Sequence, residues 1–240
     1  MRAVILAGGR GTRLAPYTTV IPKPLLPVGD MPILEIVIRQ LCAAGFTRIT
    51  LTLGYMSEYF RVFLAHHRSL ARLVDIDVVE EEEPTGTAGS LSRLKGVTGT
   101  FLVMNGDLLT TLDYRDLLAH HRRRDSFLTI AAQHRRIPID LGVLEVEPDG
   151  SVIEYREKPE LTHLVSMGIY VYEPGVLDWI RDGEYLDFPN LVQTLVGAGK
   201  TVDTYQTAAE WLDLGRPEDL CRATDIFRER RAEFLPGPVV

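Results

Sequence analysis

An alternation running through the first half of the chain limits the fold more than any other feature. Apolar runs at 2–6 (RAVIL), 48–53 (RITLTL), 74–79 (VDIDVV), 100–104 (TFLVM) and 126–133 (SFLTIAAQ) read as strands. Helical stretches at 32–45, 57–67, 87–95 and 114–124 separate them. Pro32 at a first turn, Ser57 as an opener and Gly45 as a stop mark helix ends. Strand and helix exchanged in this way predict an α/β fold, a Rossmann-like, mainly parallel mixed sheet flanked by helices. After residue 133 the rhythm is lost. Residues 142–159 read as two strands about a Pro-Asp-Gly turn, and 167–174 and 202–206 as further strands. Helices are expected near 174–182 and 188–198, with a closing amphipathic helix over 216–234. This half predicts a smaller α+β lobe. With no linker or repeat in the sequence, one domain is expected over 1–240, its two halves meeting at 125/126.

Composition narrows the function. The 26 basic and 33 acidic residues leave a net charge of −7, which argues against a nucleic-acid partner. A small anionic substrate stays open, because a few local cations serve it. The opening run AVILA is too short for a signal-peptide core, and no run approaches the roughly 20 apolar residues of a membrane span. No membrane partner is expected, and the expected location is cytoplasmic. Cys42 and Cys221 have no CxxC neighbour and read as core or half-buried thiols. Adjacent histidines on a helix point about 100° apart, so His66–His67 and His120–His121 are poor chelators. HHRRR at 120–124 reads as an exposed helix end.

The chemistry concentrates in AGGRGTRLAPYTTVIPKP (7–24), the loop that leaves the first strand. In an open α/β sheet, ligands bind beyond the carboxyl ends of the strands. Gly8, Gly9 and Gly11 leave backbone N–H groups bare for an anion, or else serve a tight turn. Arg13 and Lys23 favour the anion, and Pro22 and Pro24 restrict where the lysine can go. The loop is neither a Walker A motif nor the dinucleotide fingerprint.

Taken whole, LAGGRGTRLAPYTTVIPKPLLPV resembles the signature of the sugar-1-phosphate nucleotidyltransferases, at every fixed position of G-x-G-T-R-L-x-P-x-T-x-x-x-P-K-P-x-L-P-V. With later blocks in the expected order, the resemblance covers about residues 1–225. It implies transfer of a nucleoside monophosphate from a triphosphate to a sugar 1-phosphate, with release of pyrophosphate. The first half would then hold the nucleotide and the second the sugar. Arg13 and Lys23 would be the catalytic cations, because charge stabilisation carries most of such a displacement. Leu6, Ala7, Gly8, Gly9, Gly11 and Thr12 would line the nucleotide site. VMNGDLL (103–109) and EWLDLGRPEDL (210–220) resemble the blocks whose aspartates, here Asp107 and Asp213, hold Mg2+. Arg216 replaces the usual threonine of the second block. YREKP (155–159) resembles the E-K-P block, offering Glu157 and Lys158, and DLGV (140–143) offers Gly142. Asn105, Gly168 and Ser166, the last standing where many members carry Asn, complete the implied sugar-phosphate set.

EEEEPTGTAGSL (80–91) resembles the nucleobase block of the mannose- and heptose-1-phosphate guanylyltransferases, and a Gln-Pro-x-Pro-x-Gly-Leu-Ala thymidylyl pattern is absent. An ionised carboxylate only accepts hydrogen bonds, which suits the N1–H and N2–H donors of guanine. GTP is therefore the expected triphosphate, with Glu82 and Glu83 both open as readers and Gly86, Thr87 and Ala88 beside them. The same reaction with dTTP, UTP or CTP is the alternative. A silent nucleotide-sugar sensor on the same fold is another, weakened by the presence of Arg13, Lys23, Asp107 and Asp213. A homo-oligomer, dimer or tetramer, is expected.

Overall fold

The computed structural model describes residues 1–235 and 237; residues 236 and 238–240, the tail of the single domain expected over 1–240, lie outside them. The backbone of the fold is a seven-stranded sheet in the order β12-β8-β11-β6-β1-β4-β5. Its strands are β1 (Arg2–Leu6), β4 (Arg48–Leu53), β5 (Asp75–Glu80), β6 (Phe101–Asn105), β8 (Leu128–Pro138), β11 (Glu160–Tyr172) and β12 (Val202–Gln206). The short pairs β2 (Pro27–Val28) with β3 (Met31–Pro32), β7 (Leu108–Thr110) with β13 (Trp211–Asp213), and the hairpin β9 (Val143–Val146) with β10 (Val152–Arg156) lie apart from it.

β1 runs parallel to both β4 and β6, and β5 parallel to β4. The chain therefore builds outward on one side of β1, then crosses back to the other. Such a reversal opens a crevice at the carboxyl ends of the strands. β11 lies antiparallel between β6 and β8. The fifth apolar run, β8, thus does not extend the parallel series directly but is separated from it by a strand from later in the chain.

β1 is buried on both faces, as a central parallel strand requires. Ala3 and Ile5 face a core shared with α1 (Ile33–Ala43), α5 (Tyr114–Arg124) and α7 (Pro217–Glu229). Val4 faces a second core with Leu91, Tyr170, Tyr172 and α6 (Phe188–Gly197). Tyr172 stacks on Phe101 at 5.4 Å and Tyr170 on Phe188 at 3.8 Å, so both tyrosines are packing residues. α2 (Ser57–His66), α3 (Arg68–Leu73) and α8 (Arg231–Phe234) complete the layers around the first core. In the second half, the outer parts of β8 and β11 run past the sheet as an exposed arm, beside the exposed hairpin β9–β10.

Local expectations shift in three places. The helix expected over 87–95 is a single turn, α4 (Gly86–Gly89), followed by a 3-10 turn at Ser90–Arg93. Two glycines and two serines in eight residues sustain no longer helix. α2 opens at Ser57 as expected, with Met56 in left-handed backbone before it. His121 is not at an exposed end: it falls on the buried face with Tyr114, Leu117 and Leu118, while His120 is half-buried and the three arginines after it are exposed. Cys221 is exposed on the outer face of α7, whereas Cys42 is half-buried. No helix among the described residues is long and apolar enough to cross a membrane.

Candidate active site

The loop after β1 enters a cavity of about 620 Å³ at the carboxyl ends of β1, β4, β5 and β6. Its backbone is tied down at both sides. Ala7 N–H donates to Thr52 O at 2.9 Å, and Gly106 N–H to Leu6 O at 2.9 Å. Gly8 lies where a Cβ would come within 3.2 Å of a Glu81 carboxylate oxygen and 3.4 Å of Gly54 N, so its bareness serves close packing between β1 and β4. Gly11 has φ +61°, a backbone that L side chains seldom adopt, and its carbonyl accepts from Thr18 Oγ1 at 2.8 Å. Gly9 differs from both: nothing stands within 4 Å of its Cβ position, so its bareness faces open space in the cavity.

The cations converge on the carboxylates. Lys23 is only 7% exposed, and its ammonium pairs with Asp107 at the end of β6. Asp213 is drawn to the same spot by the β7–β13 ladder, in which it stands opposite Leu108, while Leu214 N–H donates to Asp107 O at 3.3 Å. The Arg13 guanidinium lies against Gly215, 3.4 Å from its Cβ position. Burial and the charge of Asp107 push the Asp213 carboxyl above its ordinary value, while Lys23 and Arg13 pull it down. Among the described residues no third acidic, histidine or cysteine side chain joins them as a metal cluster. Two hard-oxygen ligands with mutually crowded charge are the donor set that a divalent cation relieves when substrate oxygens supply the rest.

The opposite wall comes from two distant segments. Glu81, Glu82, Pro84, Gly86 and Thr87 follow β5, and Tyr185 and Asp187 precede α6. The segments are stitched together. Leu186 N–H donates to Thr85 O at 2.8 Å, and Leu186 O accepts from Ala88 N–H at 3.0 Å and Gly89 N–H at 2.9 Å. Asp187 Oδ1 accepts from Thr87 N–H at 3.1 Å, Phe188 N–H donates to Thr87 Oγ1 at 2.8 Å, and the Tyr185 hydroxyl donates to Asp187 Oδ2 at 2.8 Å. The Thr87 N–H and, after it, the Tyr185 hydroxyl hold the Asp187 carboxyl below its ordinary value. Glu81 accepts from the Thr85 hydroxyl, which fixes its carboxylate at the mouth of the turn.

Of the residues singled out in the sequence, Leu6, Ala7, Gly8, Gly9, Gly11, Thr12, Arg13, Lys23, Glu82, Gly86, Thr87, Asn105 and Asp107 line this cavity. Glu83 is exposed and outside it, and Ala88 is buried beneath the wall. Asp213 adjoins it through Asp107. Of the sugar-side residues only Asn105 is in the cavity lining, and Gly142, Glu157, Lys158, Ser166 and Gly168 lie outside it. Gly142 packs against the Tyr155 hydroxyl, which itself donates to Glu157 at 2.8 Å, and Lys158 is exposed with φ +46°. Ser166 Oγ donates to the Tyr170 hydroxyl oxygen at 3.4 Å, and Gly168 stands against Asn105 at the irregularity in β11. Sequence reasoning missed Glu81, Tyr185 and Asp187. Glu81 had a signal, being the first residue past the end of β5; Tyr185 and Asp187 had none.

The comparisons with known proteins agree with this geometry. The nucleotidyl transferase family model matches residues 2–230, and the chain belongs to that family. It is 31% identical over 262 residues to the UTP–glucose-1-phosphate uridylyltransferase of Synechocystis, covering 99% of this chain and 66% of that protein. It is 32% identical over 236 residues to the mannose-1-phosphate guanylyltransferase of Mycobacterium tuberculosis, covering 94% of this chain and 64% of that one. The chain thus spans just under two thirds of the length of these two relatives. The solved structure of HddC from Yersinia pseudotuberculosis complexed with GMP-PN superposes with a TM-score of 0.73 at 27% identity, covering 94% of this chain and 99% of that one.

Proposed function

We propose that the chain transfers a nucleoside monophosphate from GTP to a mannose- or heptose-type sugar 1-phosphate, releasing pyrophosphate. The observation that carries this reading is the meeting of Arg13, Lys23, Asp107 and Asp213 at one edge of one cavity. In the reaction, a phosphate oxygen of the sugar 1-phosphate attacks the α-phosphorus, and the bond from that phosphorus to the β-bridging oxygen breaks. Pyrophosphate leaves with the electron pair. Charge grows on the leaving group, so fixed cations lower the barrier when they are already in position. Lys23 is so fixed, buried and anchored on Asp107, and Arg13 lines the same cavity as an exposed cation beside Gly215. The bare backbone at Gly9 gives the phosphates room to approach the loop.

Asp107 and Asp213 would hold Mg2+, which supplies positive charge to the phosphate oxygens. The carboxylates of Glu81 and Glu82 at the far wall are acceptors suited to guanine. The guanylyltransferase name of the M. tuberculosis relative and the GMP-PN in the HddC structure support that base. The Synechocystis relative, a uridylyltransferase, favours UTP as the second reading.

A panel of GTP, UTP, dTTP and CTP, each with mannose 1-phosphate, a heptose 1-phosphate and glucose 1-phosphate, tests the reading through pyrophosphate release. The expected result is fastest turnover with GTP. GTP ranking last overturns the base, and no turnover in any combination overturns the reaction.

A further inference from the structure

A second groove, of about 600 Å³, opens at the other end of the sheet, where β1 and β4 begin. Its lining is strongly basic: Arg2, Arg48, Arg93 and Lys95 against the carboxylates Asp77 and Asp182. Nothing in the reaction above uses it. Arg2 is the best-held of the four cations, its side chain only 12% exposed. Its Nε donates to Thr50 Oγ1 at 3.0 Å, and its Nη1 to Lys95 O at 2.7 Å. Arg48 pairs with Asp77 through Nε alone, and Arg93 spends one N–H on Glu80 O at 2.9 Å. The Lys95 ammonium has no ion-pair partner among the described residues. Asp77 is therefore already matched, and Asp182, at the rim, accepts from Ser92 Oγ at 3.3 Å.

We propose that this groove is a second anion site, which takes a phosphate or diphosphate group between Arg48, Arg93 and Lys95 over the fixed guanidinium of Arg2. The unspent guanidinium N–H groups and the lysine ammonium are the donors that phosphate oxygens accept from. Crowding supports the assignment: burial, then the neighbouring charge of Arg48, pulls Arg2 below its ordinary value although Asp77, 4.0 Å away, pulls it up, and a bound anion adds to that relief.

The groove also shares walls with the active cavity. β5 lines the groove at Val78 and Val79 and ends at the cavity with Glu81. The α4 turn and the 3-10 turn after it present Ser90 to the cavity and Ser92 and Arg93 to the groove. Asp182 opens the segment that carries Tyr185 and Asp187. An anion in the groove therefore touches the outer ends of the elements that frame the proposed nucleobase wall.

Calorimetric titration of the full chain with inorganic pyrophosphate tests the proposal, beside the double variant Arg48→Gln/Lys95→Gln. Both side chains are exposed, so circular dichroism should report an unchanged fold. The expected stoichiometry is two pyrophosphates per chain in the wild type and one in the variant, with affinity at the groove reduced at least tenfold. One per chain in the wild type, lost in the variant, still supports the groove while removing the active-cavity reading. A stoichiometry that the variant leaves unchanged, or no binding at all, overturns the groove. Repeating the titration with GDP and with mannose 1-phosphate shows which bearer of the phosphate fills it best.

Discussion

Substituting Gly86 by alanine separates a glycine that serves packing from one that serves a ligand. Gly86 has φ +84°, and a Cβ there would stand 2.5 Å from Leu186 O and 2.8 Å from Leu186 C. Left-handed backbone costs an L residue about 1–2 kcal/mol. Relieving the overlap requires the 184–187 segment to move by roughly an ångström, toward an ordinary contact near 3.5 Å. Leu186 O accepts two hydrogen bonds, from Ala88 N–H at 3.0 Å and Gly89 N–H at 2.9 Å, and the move disrupts both. At about 1 kcal/mol per bond, the total with the backbone strain is about 3–4 kcal/mol. For a chain of this size that lowers Tm by about 5–15 °C. The wall bearing Tyr185 and Asp187 moves with it, so the KM for the triphosphate should rise as well. Gly9→Ala is the matched control, because nothing lies within 4 Å of its Cβ position. It should melt with the wild type yet bind the triphosphate at least tenfold more weakly. Differential scanning calorimetry and steady-state kinetics on the two variants decide the matter. A Gly86→Ala protein that melts within 1 °C of wild type (roughly the 0.5 kcal/mol expected of a neutral surface change) refutes the packing argument. A Gly9→Ala protein with unchanged triphosphate affinity refutes the phosphate cradle.

Other outcomes follow from the charges. Asp213→Asn should raise the Tm of the metal-free protein at pH 7 while lowering pyrophosphate release about a hundredfold or more. The sign follows from linkage. The folded carboxyl sits above 3.8, so the folded state binds more protons in that window and loses stability as pH rises through it. A lower Tm together with full activity would sink the assignment. Burial holds His121 below 6.5 despite Glu173 at 3.1 Å, so the folded state keeps it neutral where the unfolded chain takes up a proton. Stability should therefore fall as pH drops below 6.5, toward the folded value, and His121→Gln should flatten that part of the curve in urea unfolding at pH 7, 6 and 5. Equal slopes in the two proteins would show that His121 carries none of it.

How far the sequence was legible depended on how local the determining contacts are. The strands at Arg48–Leu53 and Val202–Gln206 and the helix at Tyr114–Arg124 lie where the pattern predicts, because their periodicity and end residues are contained within them. β11 could not be positioned the same way. Its place between β6 and β8 depends on pairings with strands that precede it by dozens of residues. The three-residue ladder of β7 and β13 is too short for any periodic signal, yet with the Leu214 N–H bond to Asp107 O it brings Asp213 to Asp107. Each aspartate was visible in its own motif, and their meeting was not. The glycines sharpen the point. Gly8, Gly9, Gly11 and Gly86 look alike in a sequence, as bare backbone in two loops. Opposite Gly86 stands a carbonyl, opposite Gly8 another strand, and opposite Gly9 only the cavity. What stands across from a glycine decides its role, and in this chain that neighbour is supplied by a different part of the fold each time. Residue type alone therefore supports a loop that approaches an anion, whereas the neighbours single out Gly9 as the glycine whose bareness remains for one.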